Sequence, residues 1–381
     1  MKILAVDIGT GTQDILLLDP RLDIENAYKM VLPSPTMIVR ERIRQVTREQ
    51  VPLLLDGVMM GGGPCAWAAE DHLKAGLAVY ATPEAARTFN DDLQAVAEMG
   101  VRVVSPDEAR RLPGEVRRVE MKDFDFSAIQ SALAGFGVSL NDLAAVVIAV
   151  FDHGAAPPGI SDRQFRFDYL DERIRAENRL SAFAYPAERI PAIMTRLQAA
   201  AISAHEVQAP VVVMDTAPAA VLGATQDAQV NGAERVVIAN VGNFHTLAFR
   251  LGPGGIEGVF EHHTGMIDQA RLEELLQSLA DGSLTHAEVF GTMGHGALVY
   301  NPEPFDLMGH GVRLVVTGPR RGMLAASRFK PLFAAPFGDM MISGCFGLLA
   351  AAADCLPDLL DELRAALKPG AGRGTPPWEV L

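Results

Sequence analysis

Residues 2–19 read KILAVDIGTGTQDILLLD, two apolar runs joined at Gly9-Thr10-Gly11-Thr12 with Asp7 near the end of the first. A dinucleotide-binding loop needs a third glycine three positions after the second, and a helix whose N-terminus receives the pyrophosphate. Here position 14 is Asp14, and the chain continues as Ile15-Leu16-Leu17-Leu18 before Asp19-Pro20. A Walker loop is excluded as well, because no Gly-Lys-Ser/Thr occurs. The stretch reads as strand, tight glycine turn, strand: a β-hairpin with an acidic residue at its mouth.

The same pattern returns at a constant offset. In residues 234–251, ERVVIANVGNFHTLAFRL, Asn240 falls on Asp7, Gly242 on Gly9 and Asn243 on Thr10. A third strand-like run follows each copy, at 26–31 and 255–261. Duplication of a three-strand unit predicts two similar domains whose turns face each other across a cleft. Backbone N–H groups from both turns could then wrap a polyphosphate. Between the copies, Val/Ile/Leu-rich runs at 77–80, 101–104, 143–150 and 210–214 alternate with helical patterns at 65–75, 83–99, 125–134 and 187–204. After the second copy come a run at 311–317 and helical patterns at 268–279, 343–354 and 357–367. This alternation is the signature of an α/β protein.

With 381 residues, 49% of them apolar and 21% charged, the chain can form two domains, each with its own core. A net charge of −14 argues against a nucleic-acid surface and against anionic membranes. No apolar run reaches the length of a membrane span, and the N-terminus enters a strand without a signal pattern, so the expected location is cytoplasmic. Cys65, Cys345 and Cys355 are scattered, which indicates neither a disulfide framework nor a Cys-x-x-Cys metal site. The Pro/Gly-rich end, 368–381, is expected to be a flexible tail.

Five stretches together carry a resemblance: AVDIGTGTQDILLL (5–18), VVVMDTAPAAVLGA (211–224), VIANVGNFHTLAFRL (237–251), RLVVTGPRRGML (313–324) and APFGDMMISGCFGLLAAA (335–352). In order and spacing they resemble the two phosphate motifs, the adenosine motif and the two connecting helices of the superfamily that unites actin, DnaK-type chaperones and sugar kinases. The resemblance implies duplicated ribonuclease H-like (actin-like ATPase) domains with a central cleft, the first over 1–190 and the second over 191–367, with 50–135 less typical. More narrowly, MMGGGPCAWAAEDHLKAG (59–76), FDHGAAPPGISDRQFRF (151–167) and EHHTGM (261–266) resemble a bacterial and archaeal family described as an activating enzyme of pyruvate formate-lyase. A glycyl-radical activase of the usual kind holds its iron–sulfur cluster on Cys-x3-Cys-x2-Cys, a spacing that the three cysteines here cannot make.

The superfamily resemblance implies ATP and Mg²⁺ as cofactors. It places Asp7 at the metal, Gly9, Thr10, Gly11 and Thr12 at the phosphates, and Asp215 where it would orient metal-bound water. Asn240, Gly242 and Asn243 would form the second phosphate turn, with Gly318 and Arg320 near the adenosine. Asn240 stands where the superfamily has aspartate, and an amide cannot take a proton from an attacking nucleophile. The buried run LAAVVIAV ends in Phe151-Asp152-His153-Gly154, at the strand end where α/β proteins place functional groups, so Asp152 and His153 are the candidate catalytic pair. Arg163 and Arg166 are candidates to hold an anionic substrate. Cys65, at a helix start after Gly61-Gly62-Gly63-Pro64, is a candidate for a lowered thiol pKa. His245, the His262/His263 pair, His295 and His310 raise a metal site as a weaker option, because adjacent residues of a strand point oppositely and no His-x3-His pair exists.

The expected function is an ATP-dependent phosphotransferase or ATPase acting on a small substrate. The alternatives are a nucleotide-gated activator of a partner enzyme, favoured by Asn240, and a metal-dependent hydrolase, favoured by the histidines.

Overall fold

The computed structural model describes residues 1–368 and 377–379, so most of the expected flexible tail lies outside the described residues. The opening stretch is an antiparallel meander of β1 (Lys2–Ile8), β2 (Thr12–Leu18) and β3 (Tyr28–Pro33). The Gly9 N–H closes its first turn by donating to the Thr12 carbonyl at 2.9 Å.

The chain then leaves this sheet. Helix Pro35–Glu49 leads into a small parallel sheet of β4 (Leu53–Gly57), β5 (Val79–Ala81), β6 (Arg102–Val103) and β7 (Arg117–Met121), ordered β6-β5-β4-β7. Val39, Ile43, Leu53, Leu55, Cys65 and Met121 belong to its separate core. The stretch that matched the superfamily least well is thus an inserted α/β layer. Its first helix, PTMIVRERIRQVTRE, buries Val39, Ile43 and Val46 on one face, although β-branched residues favour strands by intrinsic preference. The 83–99 pattern, expected as one helix, is two short ones, Pro83–Ala86 and Leu93–Glu98, separated by the segment around Asn90.

β8 (Leu143–Val150) rejoins the first sheet parallel to β1, β9 (Ala184–Pro186) forms an edge, and β10 (Val211–Asp215) lies parallel to β8. The order is β3-β2-β1-β8-β10-β9. β1 and β8 read as unbroken apolar runs because helices cover the sheet on both faces. Pairing of β10 with β8 carries the first sheet to residue 215, past the boundary expected at 190.

The second half repeats the plan. β11 (Val236–Val241), β12 (His245–Gly252), β13 (Gly255–His263) and β14 (Gly296–Val299) are successively antiparallel, and β15 (Leu314–Thr317) and β16 (Leu332–Phe333) run parallel on the far side of β11. The order is β14-β13-β12-β11-β15-β16. Without each sheet's extra edge strand, β3-β2-β1-β8-β10 and β13-β12-β11-β15-β16 are the same topology. This is the duplicated ribonuclease H-like, actin-like ATPase architecture.

Helices Thr216–Ala224 and Ser343–Cys355 cross between the halves at two glycines. A Cβ on Gly223 would lie 1.7 Å from the Ser343 carbonyl oxygen, and one on Gly347 1.8 Å from that of Ala219. Among the described residues, no single helix is long and apolar enough to cross a membrane.

Candidate active site

The two glycine turns meet. Gly242 N–H donates to the His245 carbonyl at 2.9 Å, as Gly9 does to Thr12. A Cβ on Gly11 would lie only 2.5 Å from Asn243 Nδ2. Both turns line one cavity of about 900 Å³, which Asp7, Asp14, Asn240 and Gly318 also border.

Asp7 and Asp14 are cross-strand partners on the β1–β2 hairpin. The Thr216 hydroxyl donates to Asp7 Oδ1 at 2.6 Å. The start of helix Ser343–Cys355 rests on the same carboxylate, since a Cβ on Gly344 would lie 1.8 Å from Asp7 Oδ2. Burial pushes Asp7 up to about 6 despite the Thr216 bond, and the Asp215 charge adds to the shift. Burial, then the negative charge of Asp7, pushes Asp14 up to about 8. Asp14 Oδ1 is buried without a hydrogen-bond partner. Paired buried carboxylates with an unsatisfied oxygen suit a hard divalent cation, so the residues present fit Mg²⁺ held by Asp7 and Asp14. Asp215, expected near this metal, is committed elsewhere: it caps its helix through the Ala217 N–H at 3.0 Å and pairs with Arg166 at 2.6 Å.

At the end of β8, Asp152 is 2% exposed. Its Oδ1 accepts from the Gly154 N–H at 2.8 Å and its Oδ2 from the Leu197 N–H at 2.9 Å. Burial pushes it up to about 6 although both N–H groups pull the other way. Gly154 makes this turn with φ +77°. Asp152 therefore organises the loop, each oxygen accepting from one backbone N–H, while it also borders the cavity where it was expected to act as a base.

The expected anion-binding arginines do not line the cavity. Arg166 is fully buried, with Nε 2.6 Å from Glu261 Oε2, Nη1 2.6 Å from Asp215 Oδ2, and a further bond to the Asp152 carbonyl at 2.7 Å. Arg163 donates to the carbonyls of Gly294 and Phe290 and lies over the Phe290 ring. Both tie the first half to the second. The lining cations are Arg87 and Arg196, and Arg196 is itself paired with Asp123 at 2.8 Å. Asp123 also accepts from the Gly61 N–H at 3.1 Å, so the 61–64 loop already binds an anion from its own chain. Cys65 behind it is buried, and burial pushes its thiol up to about 11, opposite to the lowered value expected at a helix start. Gly318, with φ +95°, lines the cavity, whereas Arg320 is exposed and its N–H donates to the Val241 carbonyl.

Three histidines converge beside Asp152. His153 Nε2 and His295 Nε2 are 3.1 Å apart, and ligand atoms of His153, His245 and His295 all lie within 4.8 Å of one another. Phe151 stacks on His245, with ring centroids 4.2 Å apart. Glu261 Oε1 lies 2.8 Å from His245 Nδ1 and 3.6 Å from His295 Nδ1. Burial draws His153 well below the usual imidazole range and His295 down to about 3. Burial opposes the Glu261 charge, but Arg166 and the neighbouring histidines outweigh it and hold this carboxyl well below the usual range. His262 points away, to Thr292, as alternation along a strand requires.

His153 joins the cluster from the other half of the molecule, so no local spacing could have revealed it. Asp14, Asp123 and Arg196 were also not singled out in the sequence. For Asp14 the available signal was an acidic residue inside an apolar strand, one hairpin position across from Asp7.

A family model described as "Putative pyruvate format-lyase activating enzyme (DUF1786)" matches residues 60–323. Among solved structures, the activator of the 2-hydroxyisocaproyl-CoA dehydratase from Clostridium difficile with bound ADPNP is 10% identical over 92% of this chain and 95% of that one, with a TM-score of 0.35. The inorganic polyphosphate/ATP-glucomannokinase from Arthrobacter sp. strain KM is 10% identical over 93% and 99%, with a TM-score of 0.34. The ethanolamine utilization protein EutJ from Carboxydothermus hydrogenoformans is 11% identical over 91% and 89%, with a TM-score of 0.30. No curated protein sequence matches the chain. Because the family model covers well over half of its length, the chain belongs to the family described as "Putative pyruvate format-lyase activating enzyme (DUF1786)".

Proposed function

We propose that the chain binds ATP with Mg²⁺ between its two glycine turns and acts as a phosphotransferase or ATPase on a small substrate. The observation that carries this reading is the pair of turns, Gly9–Thr12 and Gly242–His245. They are closed by the same hydrogen bond and border one cavity that also holds the Asp7–Asp14 pair. Turn N–H groups and the hydroxyls of Thr10 and Thr12 offer donors to phosphate oxygens. Asp7, Asp14, Asp91, Asp92, Asp123, Asp152 and Asp162 border the cavity against Arg87 and Arg196, so a polyphosphate needs a divalent cation to enter. Mg²⁺ on Asp7 and Asp14 would neutralise charge on the transferring phosphoryl group. Thr216 orients Asp7 through its 2.6 Å bond, and the start of helix Ser343–Cys355 keeps that carboxylate in place. Asn240 can hydrogen-bond a phosphate or a water but takes no proton. At the acceptor end the cavity is bordered by Asp152, whose two oxygens each accept one backbone N–H, and by His153, so proton acceptance is assigned to this strand end.

Calorimetry with ATP, with and without Mg²⁺, alongside phosphate release, tests the reading. Mg²⁺-dependent binding that Asp7→Asn weakens, together with turnover, supports it. Absence of ATP binding to the wild-type chain overturns it. Asn240 and the pinned Asp152 favour a second reading, a nucleotide-gated activator of a partner enzyme. Tight binding without turnover is its expected result.

A further inference from the structure

We infer that His153, His245 and His295 form a site for one divalent transition-metal ion such as Zn²⁺, with an open coordination position facing the cleft. Two imidazole nitrogens on one tetrahedral Zn²⁺, each about 2.0–2.1 Å from it, stand roughly 3.3 Å apart. His153 Nε2 and His295 Nε2 are 3.1 Å apart, and the third ligand atom lies within 4.8 Å of both. The Nδ1 atoms of His245 and His295 face the same carboxylate oxygen, Glu261 Oε1, at 2.8 and 3.6 Å. Each ring thereby keeps its Nε2 edge for a ligand. A carboxylate behind the ligating imidazoles is the outer partner that fixes the tautomer and raises ligand basicity at metal centres.

The charge balance also points to a cation. Buried Arg166 offsets only one of the two buried carboxylates it touches, Asp215 and Glu261, which leaves the cluster one negative charge in excess. Three neutral imidazoles with no thiolate suit Zn²⁺, Fe²⁺, Co²⁺ or Ni²⁺ and discriminate against Mg²⁺. His153 and His245 line the cavity while His295 is fully buried, so the vacant side of the triad opens to the cleft. Three protein ligands with one open position is the arrangement of a reactive metal, whose fourth ligand is water or an oxygen of a small substrate. This site shares the cavity with the Asp7–Asp14 pair but none of its side chains, and its test does not require ATP.

The test uses the full chain stripped by chelator, with excess Mg²⁺ present to occupy oxygen sites, titrated with Zn²⁺ by calorimetry and with Co²⁺ by visible absorption. The expected result is one equivalent per chain and the intense d–d bands of a four- or five-coordinate Co²⁺ site. His153→Gln and His295→Gln are each expected to abolish the bands, and Glu261→Gln to weaken affinity by about 10–100-fold. His263→Gln, whose ring lies 4.7 Å from that of His295 but outside the triad, is expected to keep them. Failure of the wild-type chain to bind, or weak six-coordinate bands unchanged in the His153→Gln/His295→Gln double variant, overturns the assignment. The wild-type titration decides the matter even if a variant fails to fold.

Discussion

Asp14 shows what a buried acid does beside a second carboxylate. Its pKa is raised from 3.8 to about 8 by burial and by Asp7, so the folded state binds more protons than the unfolded state across that interval. Stability from this group is present below about pH 4 and is lost as pH rises toward 8. Asp14→Asn is therefore expected to stabilise the metal-free protein at pH 8 by about 2 kcal/mol, less than the full shift implies because water and relaxation screen part of it. The same substitution should have no stabilising effect at pH 4. Urea unfolding at the two pH values checks both. Arg166 presents the opposite case. Arg166→Met leaves Asp215 and Glu261 buried and unpaired, and a loss of about 3–5 kcal/mol in unfolding free energy is expected. A loss below 1 kcal/mol would mean that water reaches the pair.

At the scale of elements, the two connecting helices depend on the absence of side chains where they cross. Gly223→Ala forces a methyl group against the Ser343 backbone, which cannot swing aside as a side chain would. Thermal unfolding is expected to show a loss of about 3 kcal/mol. Gly254→Ala, in a hairpin turn with nothing within 4 Å of the new Cβ, is expected to change stability by less than about 0.5 kcal/mol. Equal effects at the two glycines would remove the close crossing as an explanation. Apolar periodicity reveals helices such as Gln269–Ala280, with Leu272, Leu275, Leu276 and Leu279 buried on one face. It fails for Asp162–Ala176, where charged residues alternate with apolar ones and the buried face includes Arg166.

Across the whole molecule, the insertion touches the second half where Trp67 stacks on Phe244, with ring centroids 5.7 Å apart. Phe244 belongs to the second glycine turn, so ATP entering between the turns is expected to change this contact. In a Trp378→Phe background, Mg²⁺·ATP should shift Trp67 emission, and Phe244→Leu should abolish the shift while leaving binding within about threefold. An unchanged emission spectrum under saturating ATP would show that the insertion does not follow the turns. Residues 50–135 carry their own core and border the cleft mainly with loops, such as Gly61–Gly63 and Arg87–Asp92.

The duplicated hairpins, their glycine turns and the small residues of both connecting helices were legible in the chain because each is a local constraint. A tight turn selects glycine, a doubly covered strand selects unbroken apolar runs, and a close crossing selects small residues over one or two turns. The partners of the charged groups were not legible. Arg166 finds Glu261 and Asp215, and His153 finds His295, across separations of 49 to 142 residues that leave no periodic trace. Whether a buried arginine holds a substrate or neutralises its own chain depends on which carboxylates the fold brings within reach. At the end of β8 the same residues, Asp152, His153 and Arg166, became a loop anchor, a member of a histidine cluster and a link between halves. Burial set those roles, because desolvated charge must find its partner inside the protein.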